Sequence, residues 1–339
     1  MAGILLRSPV YKTVTAPAPP AVPLSTKCTI TLDSVLRYTL VKSTSAGATI
    51  LWEISELCRD YIETNPTLRP VGTFLPVVTV ITTHVTTDGS GVAGSTDTFT
   101  DVGYDGYGTF LEGASPSVSA DGTAPPGWLV SGKSPNEGTD NYFYSYVPTG
   151  AIGWVPYIDA SSELYYQQYT TSNDESTPIA LASSYNMNFI RIDCTKYGTG
   201  NRILFTNKFG ALQEIWFFLK EVNATARKQK TFQRNIISST GTYSTLEHAK
   251  QVFNTTATNT LTLSSGYYPE WANEWFEQLM LSESVWLINS AIGINPTSAN
   301  YIPLNVKKSR MTRKTSLNNR LIEYKFDFEM AYDYINSVR

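Results

Sequence analysis

The chain has 339 residues, which is enough for two or three domains that each bury a core of their own. Charged residues make up 16% of it, against ~25% in ordinary soluble domains, and its 21 Tyr with abundant Ser and Thr favour strands over helices. No stretch approaches the ~20 apolar residues of a membrane-spanning helix, and Met1–Leu6 is too short for the core of a secretory signal.

The net charge of −3 is unevenly divided along the chain. Residues 1–190 carry 8 Lys and Arg against 17 Asp and Glu, whereas residues 191–339 carry 18 against 12. An acidic front half and a basic back half can pair head to tail between copies, which favours a cyclic homo-oligomer. Ordinary drift in composition is the other explanation. Low charge and many Tyr are also typical of surfaces buried against partners.

The first 26 residues contain a proline-rich run from Ala16 to Pro23 and show no apolar periodicity. Such a run adopts an extended, polyproline-like conformation that has no core of its own. We therefore predict that residues 1–26 form an extended N-terminal arm lying on a neighbouring subunit. A disordered leader is the alternative.

Residues 27–190 are predicted to form an acidic, β-rich N-terminal domain. Cys28–Leu32 and Val35–Val41 have the composition of a strand pair, and the β-branched run Val77–Val85 predicts a further strand. Between them, the apolar residues from Ile50 to Tyr61 fall at helical spacing and predict a short amphipathic helix.

Residues 191–339 are predicted to form a basic, β-rich C-terminal domain. Ile203–Thr206 and Leu212–Leu219 are predicted strands, joined by a hairpin corner at Asn207–Gly210. Further strands are predicted at Gln229–Ile237 and Thr260–Leu263.

One amphipathic helix is predicted in this domain, over residues 269–282. Pro269 stands at a favoured first-turn position, and Glu270 and Glu274 lie where the helix dipole favours acidic side chains. We expect Trp275 and Phe276 in the core, packed on the final strand. The sequence as a whole predicts a mainly β fold of antiparallel β-sandwich or barrel-like domains with two or so short amphipathic helices.

From Ile322 to Met330, and on to Tyr334, apolar residues occupy every second position. Strict alternation places them on one face of a strand and the charged residues on the other. At ~3.3 Å per residue, the run predicts an unusually long final strand of roughly 40 Å. We expect the core to cover its apolar face and water to reach its charged face, which consists of Glu323, Lys325, Asp327 and Glu329.

Residues with catalytic or metal-binding chemistry are sparse. The histidines, His84 and His248, belong to no metal-binding motif, and the sequence has no nucleophile elbow or phosphate-binding loop. His84 stands in a β-branched run and is predicted to pack inside a sheet. Asp97, Asp101 and Asp105 lack the spacing of a calcium loop and are interpreted as solvated turn residues. The sequence thus predicts no enzyme, no cofactor and no metal.

The densest group of basic residues precedes the final strand. Nucleic-acid binding favours basic residues beside exposed aromatic ones, and no aromatic residue lies between Tyr301 and Tyr324. We interpret the group as a basic hairpin that is solvated or docked on an acidic neighbouring subunit; a surface near passing DNA is the alternative. The candidate subunit-contact residues are Lys307, Lys308, Arg310, Arg313 and Lys314.

Several segments carry a resemblance to one group of proteins. The segment Arg202–Ala211, continued by the aromatic run to Phe218, contains a corner of the form W/F-x-N-x-F-G. Ile50–Tyr61, Asp105–Gly113 and the ending Leu321–Tyr334 are similar to the same group. In these segments the chain resembles tail hub and tail tip proteins of tailed bacteriophages that infect Bacteroidetes-type bacteria.

The resemblance implies a non-enzymatic virion structural protein, made in the host cytoplasm and built into a ring of the phage tail. In such a ring, the charged face of the final strand is expected to line or support the central channel, with Glu323, Lys325, Asp327 and Glu329 as the candidate channel-facing residues. Its expected partners are other copies of itself, other tail proteins, and passing DNA that it does not bind specifically. A peripheral glycan-binding adhesin of the tail is the alternative, with the Tyr- and Trp-rich residues 104–170 as its binding face. A polysaccharide hydrolase is a third possibility.

Overall fold

The structure, a computed structural model, is mainly β, which confirms the fold class predicted from the sequence. Its sheets are largely antiparallel, and the described residues include two short α-helices. The structure describes residues 2–17, 23–62, 77–88, 93–109, 113, 127–131, 142–148, 151–158, 164–170, 179–180, 186–192, 200–288, 301–315 and 321–332.

The N-terminal part forms a five-stranded sheet and a two-stranded sheet. Their strands are β1 (Ala2–Leu5), β2 (Tyr11–Thr15), β3 (Pro23–Leu32), β4 (Val35–Ser43), β5 (Thr49–Glu53), β6 (Val77–Asp88) and β7 (Ala93–Tyr104). The larger sheet has the order β1-β7-β6-β3-β4, and β2 pairs with β5. Because side chains alternate along a strand, Val78 and Val80 of β6 face a core that Trp52 of β5 also enters.

The described part of residues 1–26 is not a free arm, which corrects the prediction. β1 pairs in parallel with β7, from Ala2 opposite Asp101 to Leu5 opposite Tyr104, and β3 already begins at Pro23. Leu6 is buried in the chain's own core. The prediction failed because these strands are too short to show a period, so the proline run dominated the pattern. Residues 18–22 of that run lie outside the described residues.

The helix predicted from Ile50 to Tyr61 is shorter than expected. Its first residues belong to β5, where Ile50 and Trp52 are buried and Leu51 between them is exposed. The helix α1 spans only Ser55–Arg59. The apolar residues of this segment fit both the helical and the strand period, and in the folded protein the segment pairs with β2 as a strand.

The middle of the chain contributes two three-stranded sheets. Their strands are β8 (Gly127–Trp128), β9 (Tyr142–Pro148), β10 (Ile152–Ile158), β11 (Leu164–Thr170), β12 (Ile179–Ala180) and β13 (Asn186–Ile192). The orders are β11-β10-β8 and β12-β13-β9. Val147 and Val155 are buried in the same core as Phe217 and Phe326, far along the chain. The predicted division at residue 190 therefore does not separate two cores.

The C-terminal part forms a seven-stranded sheet covered by a helix. The strands of the C-terminal part are β14 (Asn201–Thr206), β15 (Leu212–Phe217), β16 (Glu221–Gln233), β17 (Lys250–Ser264), β18 (Tyr268–Pro269), β19 (Val285–Ile288), β20 (Tyr301–Val306), β21 (Leu321–Ile322) and β22 (Lys325–Met330), and all but β18 and β21 belong to the seven-stranded sheet. The order is β15-β14-β19-β20-β22-β17-β16, and β18 pairs with β21 separately.

The predicted C-terminal helix is confirmed as α2 (Asn273–Leu281), which follows a 3₁₀ turn at Glu270–Ala272. Trp275 and Phe276 are buried, and the Phe276 ring lies 5.9 Å from that of Phe326 on β22. Both were therefore placed correctly, in the core and against the final strand. Within the described ranges, no helix has the length and apolar character needed to cross a membrane.

The long final strand is broken into β21 and β22, which corrects its predicted length. Ile322 pairs with Tyr268, whereas Lys325 pairs with Ser264, so the segment that pairs with the final strand is interrupted between β17 and β18. Gly266 lies in that interruption with φ +84°, a conformation that L side chains rarely adopt. The alternation is confirmed from 322 to 328, where the even-numbered residues are buried, but Met330 is half-buried and Tyr332 is 57% exposed, so the predicted apolar face does not continue beyond β22. Tyr334 lies outside the described residues.

Candidate interaction surfaces

The basic segment, residues 307–314, lies along the chain's own final strand. Lys307 Nζ is 2.6 Å from a carboxylate oxygen of Glu329, and Arg313 Nη2 is 2.6 Å from one of Glu277 on α2. The side-chain hydrogen bond to Glu277 raises the pKa of Arg313. These residues form no β-hairpin, since the described part of the segment has no strand. Two of the predicted subunit-contact residues thus already have acidic partners in the chain.

Lys308 and Lys314 converge on Tyr324. Lys308 Nζ donates to the Lys325 carbonyl at 2.6 Å and lies 4.4 Å from the centroid of Phe326 and 5.3 Å from that of Tyr324. Burial, followed by the charge of Lys314, lowers the pKa of Lys308. The prediction missed these aromatic contacts because both rings follow the segment in sequence. Arg310 is exposed, and the contact role of all five residues stays a prediction.

The charged side of β22 forms an open polar face. Lys325 and Asp327 are exposed, whereas Phe326 and Phe328 between them are buried. Asp327 accepts a hydrogen bond of 2.6 Å from the Thr262 hydroxyl, and Glu323 accepts one from Ser264. With Glu329 paired to Lys307, this face carries interspersed charges. The alternation is therefore confirmed, while a channel-facing role for these residues stays a prediction.

The hairpin corner predicted at Asn207–Gly210 is confirmed between β14 and β15. Gly210 has φ +79° and donates its N–H to the Asn207 carbonyl at 3.0 Å. Asn207 Oδ1 accepts the N–H groups of Phe209 and Ala211 at 3.0 and 3.1 Å, and its Nδ2 donates to the Leu129 carbonyl at 2.7 Å. This buried Asn fixes the corner because its amide satisfies backbone groups that no strand pairs.

The same corner joins the N-terminal and C-terminal sheets. Tyr107 donates its N–H to the Lys208 carbonyl at 2.7 Å, so the chain after β7 lies directly on the corner. Phe209 is buried in a core that also contains Tyr104 of β7 and Leu5 of β1. The corner motif therefore has a packing role in the described structure.

An ionic network lies beside this joint. Arg7 donates two hydrogen bonds to the carboxylate of Asp105, at 2.8 and 2.7 Å, and Asp105 is buried. Glu283 completes the network through Arg59 at 2.7 Å and Arg7 at 3.2 Å. Asp101 is also buried and pairs with Lys12. This corrects the interpretation of Asp101 and Asp105 as solvated turn residues. Among the described residues, no cluster of His, Cys, Asp or Glu could hold a metal ion.

His84 is packed inside the N-terminal sheet, as predicted. Its ring lies 6.1 Å from that of Trp52 and 5.5 Å from that of Phe99, and neither ring nitrogen has a hydrogen-bond partner among the described residues. Burial, the largest cause, lowers the pKa of His84. The folded protein therefore resists protonation of this ring.

This environment predicts a pH-dependent stability. Below about pH 6.5, the ordinary pKa of histidine, the unfolded chain takes up a proton that folded His84 rejects, so the free energy of unfolding falls as the pH falls. His84→Phe removes that group and is expected to reduce the loss between neutral and mildly acidic pH. Denaturant unfolding at several pH values measures it. His248→Phe, which alters an exposed ring, should leave the loss unchanged; an equal loss in His84→Phe contradicts the assignment.

A two-stranded β-ribbon, which we define as residues 221–264, is exposed over most of its length. β16 and β17 pair along their whole length, and β22 supports only the Thr260–Ser264 end of β17. At ~3.3 Å per residue, the 13 residues of β16 extend over roughly 40 Å. No residue from 221 to 260 is buried. The sequence predicted only Gln229–Ile237 and Thr260–Leu263 as strands and missed the ribbon as a unit.

Comparison with known proteins gives no match: no family model, no curated protein and no solved structure is similar to this chain. The proposal of a function therefore depends on the joint between the N-terminal and C-terminal sheets and on the exposed ribbon.

Proposed function

We propose that the protein is a non-enzymatic structural subunit of a bacteriophage tail, assembled as a ring in the tail hub or tip. The observation that carries the proposal is the ribbon, in which no residue from 221 to 260 is buried against the described part of the chain. Exposed apolar side chains of this kind mark surfaces that other protein covers. Assignment to a phage tail, and hence to the virion, rests on the sequence resemblance, whose corner motif is a well-formed element of this structure.

Within such a ring, the open polar face of β22 is the surface that we assign to the channel. Its acidic members, Glu323, Asp327 and Glu329, would repel the phosphate backbone and let DNA pass without binding. Lys325 and the neighbouring Lys307 moderate that charge. Within the basic segment, Lys307 and Arg313 are paired with Glu329 and Glu277, and Lys308 donates to the Lys325 carbonyl. These three residues therefore do not form a DNA-binding site of their own.

The proposal predicts a defined multimer. The purified protein is expected to have a mass that is a fixed integer multiple of the 37.5 kDa protomer, because a closed ring has a fixed number of subunits. Light scattering coupled to size exclusion measures that mass, and images of purified particles carrying a tagged copy locate it. A monomer at every concentration, with no label on the tail axis, contradicts the proposal.

The adhesin remains the second candidate because of one feature of the middle region. Tyr157 and Tyr165 stack at 5.5 Å between ring centroids, and both are half-buried, so part of an aromatic platform reaches the surface. An adhesin would carry the label at the periphery of the tail, whereas a hub subunit carries it on the axis.

A further inference from the structure

Little of the described chain supports the ribbon beyond its base. Among the described strands, β17 pairs only with β16 beyond the level of Thr260, and β16 is the edge strand of the sheet. An isolated two-stranded ribbon is marginally stable in water. A partner that covers one of its faces or its free edge therefore stabilises it as well as binding to it.

Apolar side chains concentrate toward the distal end of the ribbon. Phe232 and Phe253 face each other across the strands with ring centroids 6.3 Å apart, and both are exposed. Beyond them, the connecting residues 234–249 expose Leu246 to 89% of its surface. The exposed apolar residues of the ribbon are Val222, Phe232, Ile237, Tyr243, Leu246, Val252 and Phe253. This distribution fits a protein partner, because apolar and aromatic side chains supply most of the energy at protein interfaces.

The ribbon is basic, whereas the rest of the chain is acidic. Of the chain's 26 Lys and Arg and 29 Asp and Glu, the ribbon holds five and two, which leaves 21 and 27 elsewhere. Arg227, Lys228 and Lys230 lie close together on β16 and are exposed. Arg234 is already paired with Glu247 at the end of the ribbon, and Lys250 is exposed at the start of β17. Most of the ribbon's remaining positive charge thus lies on the middle of β16.

A complementary surface exists on the body of the molecule. Outside the ribbon, the chain carries 21 Lys and Arg against 27 Asp and Glu. Residues 270–283, which contain α2, carry four Glu, of which Glu277 is paired with Arg313 and Glu283 with Arg7 and Arg59. The Glu283 side chain is still 63% exposed, and the apolar Leu281 beside it is 51% exposed. A second copy of the chain therefore offers both the negative charge and the apolar contact that the ribbon lacks.

We propose that the ribbon is the assembly arm of the protein and lies across the acidic body of a second copy. Opposite charges guide the arm onto its neighbour, and the distal aromatic residues make the stable contact. Each copy donates an arm at one surface and accepts one at another, which is the heterologous contact that closes rings. The inference deepens the proposed function, on which it rests for the ring.

The first test removes the arm without touching a core. Residues 227–257 are replaced by Asn-Gly, so that Ala226 and Thr258, which are opposite each other in the ladder, are joined by a two-residue turn. Because the removed residues are not buried, the trimmed chain is expected to unfold at nearly the same temperature. Its mass is expected to be that of a monomer under conditions in which the full chain is a multimer.

The second test keeps the arm and reverses its charge. The triple variant Arg227→Glu, Lys228→Glu and Lys230→Glu is expected to associate at least about tenfold more weakly than the unaltered chain at low salt. Added salt should weaken association of the unaltered chain, because it screens exposed charges. The matched control reverses three exposed basic residues of the N-terminal sheet and should assemble normally: Lys27→Glu, Arg37→Glu and Lys42→Glu.

The outcomes separate the inference from the proposed function. A trimmed chain that still forms the full multimer overturns the inference and leaves the ring intact. Association through the ribbon into a dimer or an open fibre supports the inference and contradicts the ring. A full chain that stays monomeric overturns both. Binding of duplex DNA that requires Arg227, Lys228 and Lys230, without self-association, overturns the inference in favour of a nucleic-acid partner.

Discussion

Replacing Gly210 with Ala is expected to destabilise the protein by about 2–5 kcal/mol, the sum of a backbone penalty and a steric one. Gly210 has φ +79°, and a methyl group there would lie 2.6 Å from the Asp105 nitrogen and 2.8 Å from the Gly106 nitrogen. Both contacts are with backbone atoms of a buried joint, which cannot rotate away as a side chain could. Denaturant unfolding measures the loss.

A matched control divides the two contributions. Gly47 has φ +70°, and a methyl group there meets no atom within 4 Å, so Gly47→Ala carries only the backbone penalty. The difference between the two variants is the cost of separating the corner from the chain after β7. Gly106→Ala approaches the same contact from the other side, 2.6 Å from the Phe209 carbonyl carbon, but Gly106 has no positive φ, so this variant should carry only the steric penalty. Equal stability of all three variants contradicts the close approach.

Trp275→Ala is expected to lower the free energy of unfolding by ~3–5 kcal/mol, as large-to-small changes in cores do. The Trp275 ring packs edge-on against Tyr268 and Trp271, and its indole N–H donates to the buried Ser131 carbonyl. The substitution therefore leaves a cavity and an acceptor without its donor. Thermal and denaturant unfolding measure the loss.

Trp271→Ala serves as the companion of Trp275→Ala. Trp271 precedes the same helix by one turn but is only half-buried, so its truncation should cost less. If Trp275→Ala leaves the melting temperature unchanged, this face of α2 does not belong to the core and the assignment is wrong.

Elements with one buried face were predictable from the sequence. The alternation from Ile322 onward gave the faces of β22 correctly, because burial on one side of a strand imposes a period of two. The corner at Asn207–Gly210 was also predictable, because its Asn and Gly satisfy local backbone requirements that any surrounding fold would share. The break after Ile322 was not predictable, because it is set by Gly266, which lies between β17 and β18, the two strands that pair with β22 and β21.

The ribbon escaped prediction for the opposite reason. With neither face buried, nothing imposes an apolar period on residues 221–259, and the local signal is only the Thr-rich composition of β17. That composition favours strands, but it fixes neither the partner nor the register. The pairing of β16 with β17 across a connection of 16 residues had no local signal.

The candidate site was predictable as a set of residues but not as a set of contacts. The basic segment and the charged face were found separately, yet Lys307 lies against Glu329 and Lys308 over Phe326. Those contacts follow from the antiparallel approach of β20 and β22, which no spacing in the sequence reveals. Similarly, Arg7 and Asp105 stand 98 residues apart and meet only in the folded protein.

The parallel pairing of β1 with β7 has a consequence for synthesis on the ribosome. Ala2 is opposite Asp101, so the first strand has no partner until the chain has grown past β7. At ~5–20 residues per second, Ile4 and Leu5 remain without their strand partner for roughly 5–20 s. During that interval, this apolar segment of the nascent chain lacks the strand that pairs with it in the folded protein. Completion of the N-terminal sheet is thus timed by translation through Tyr104.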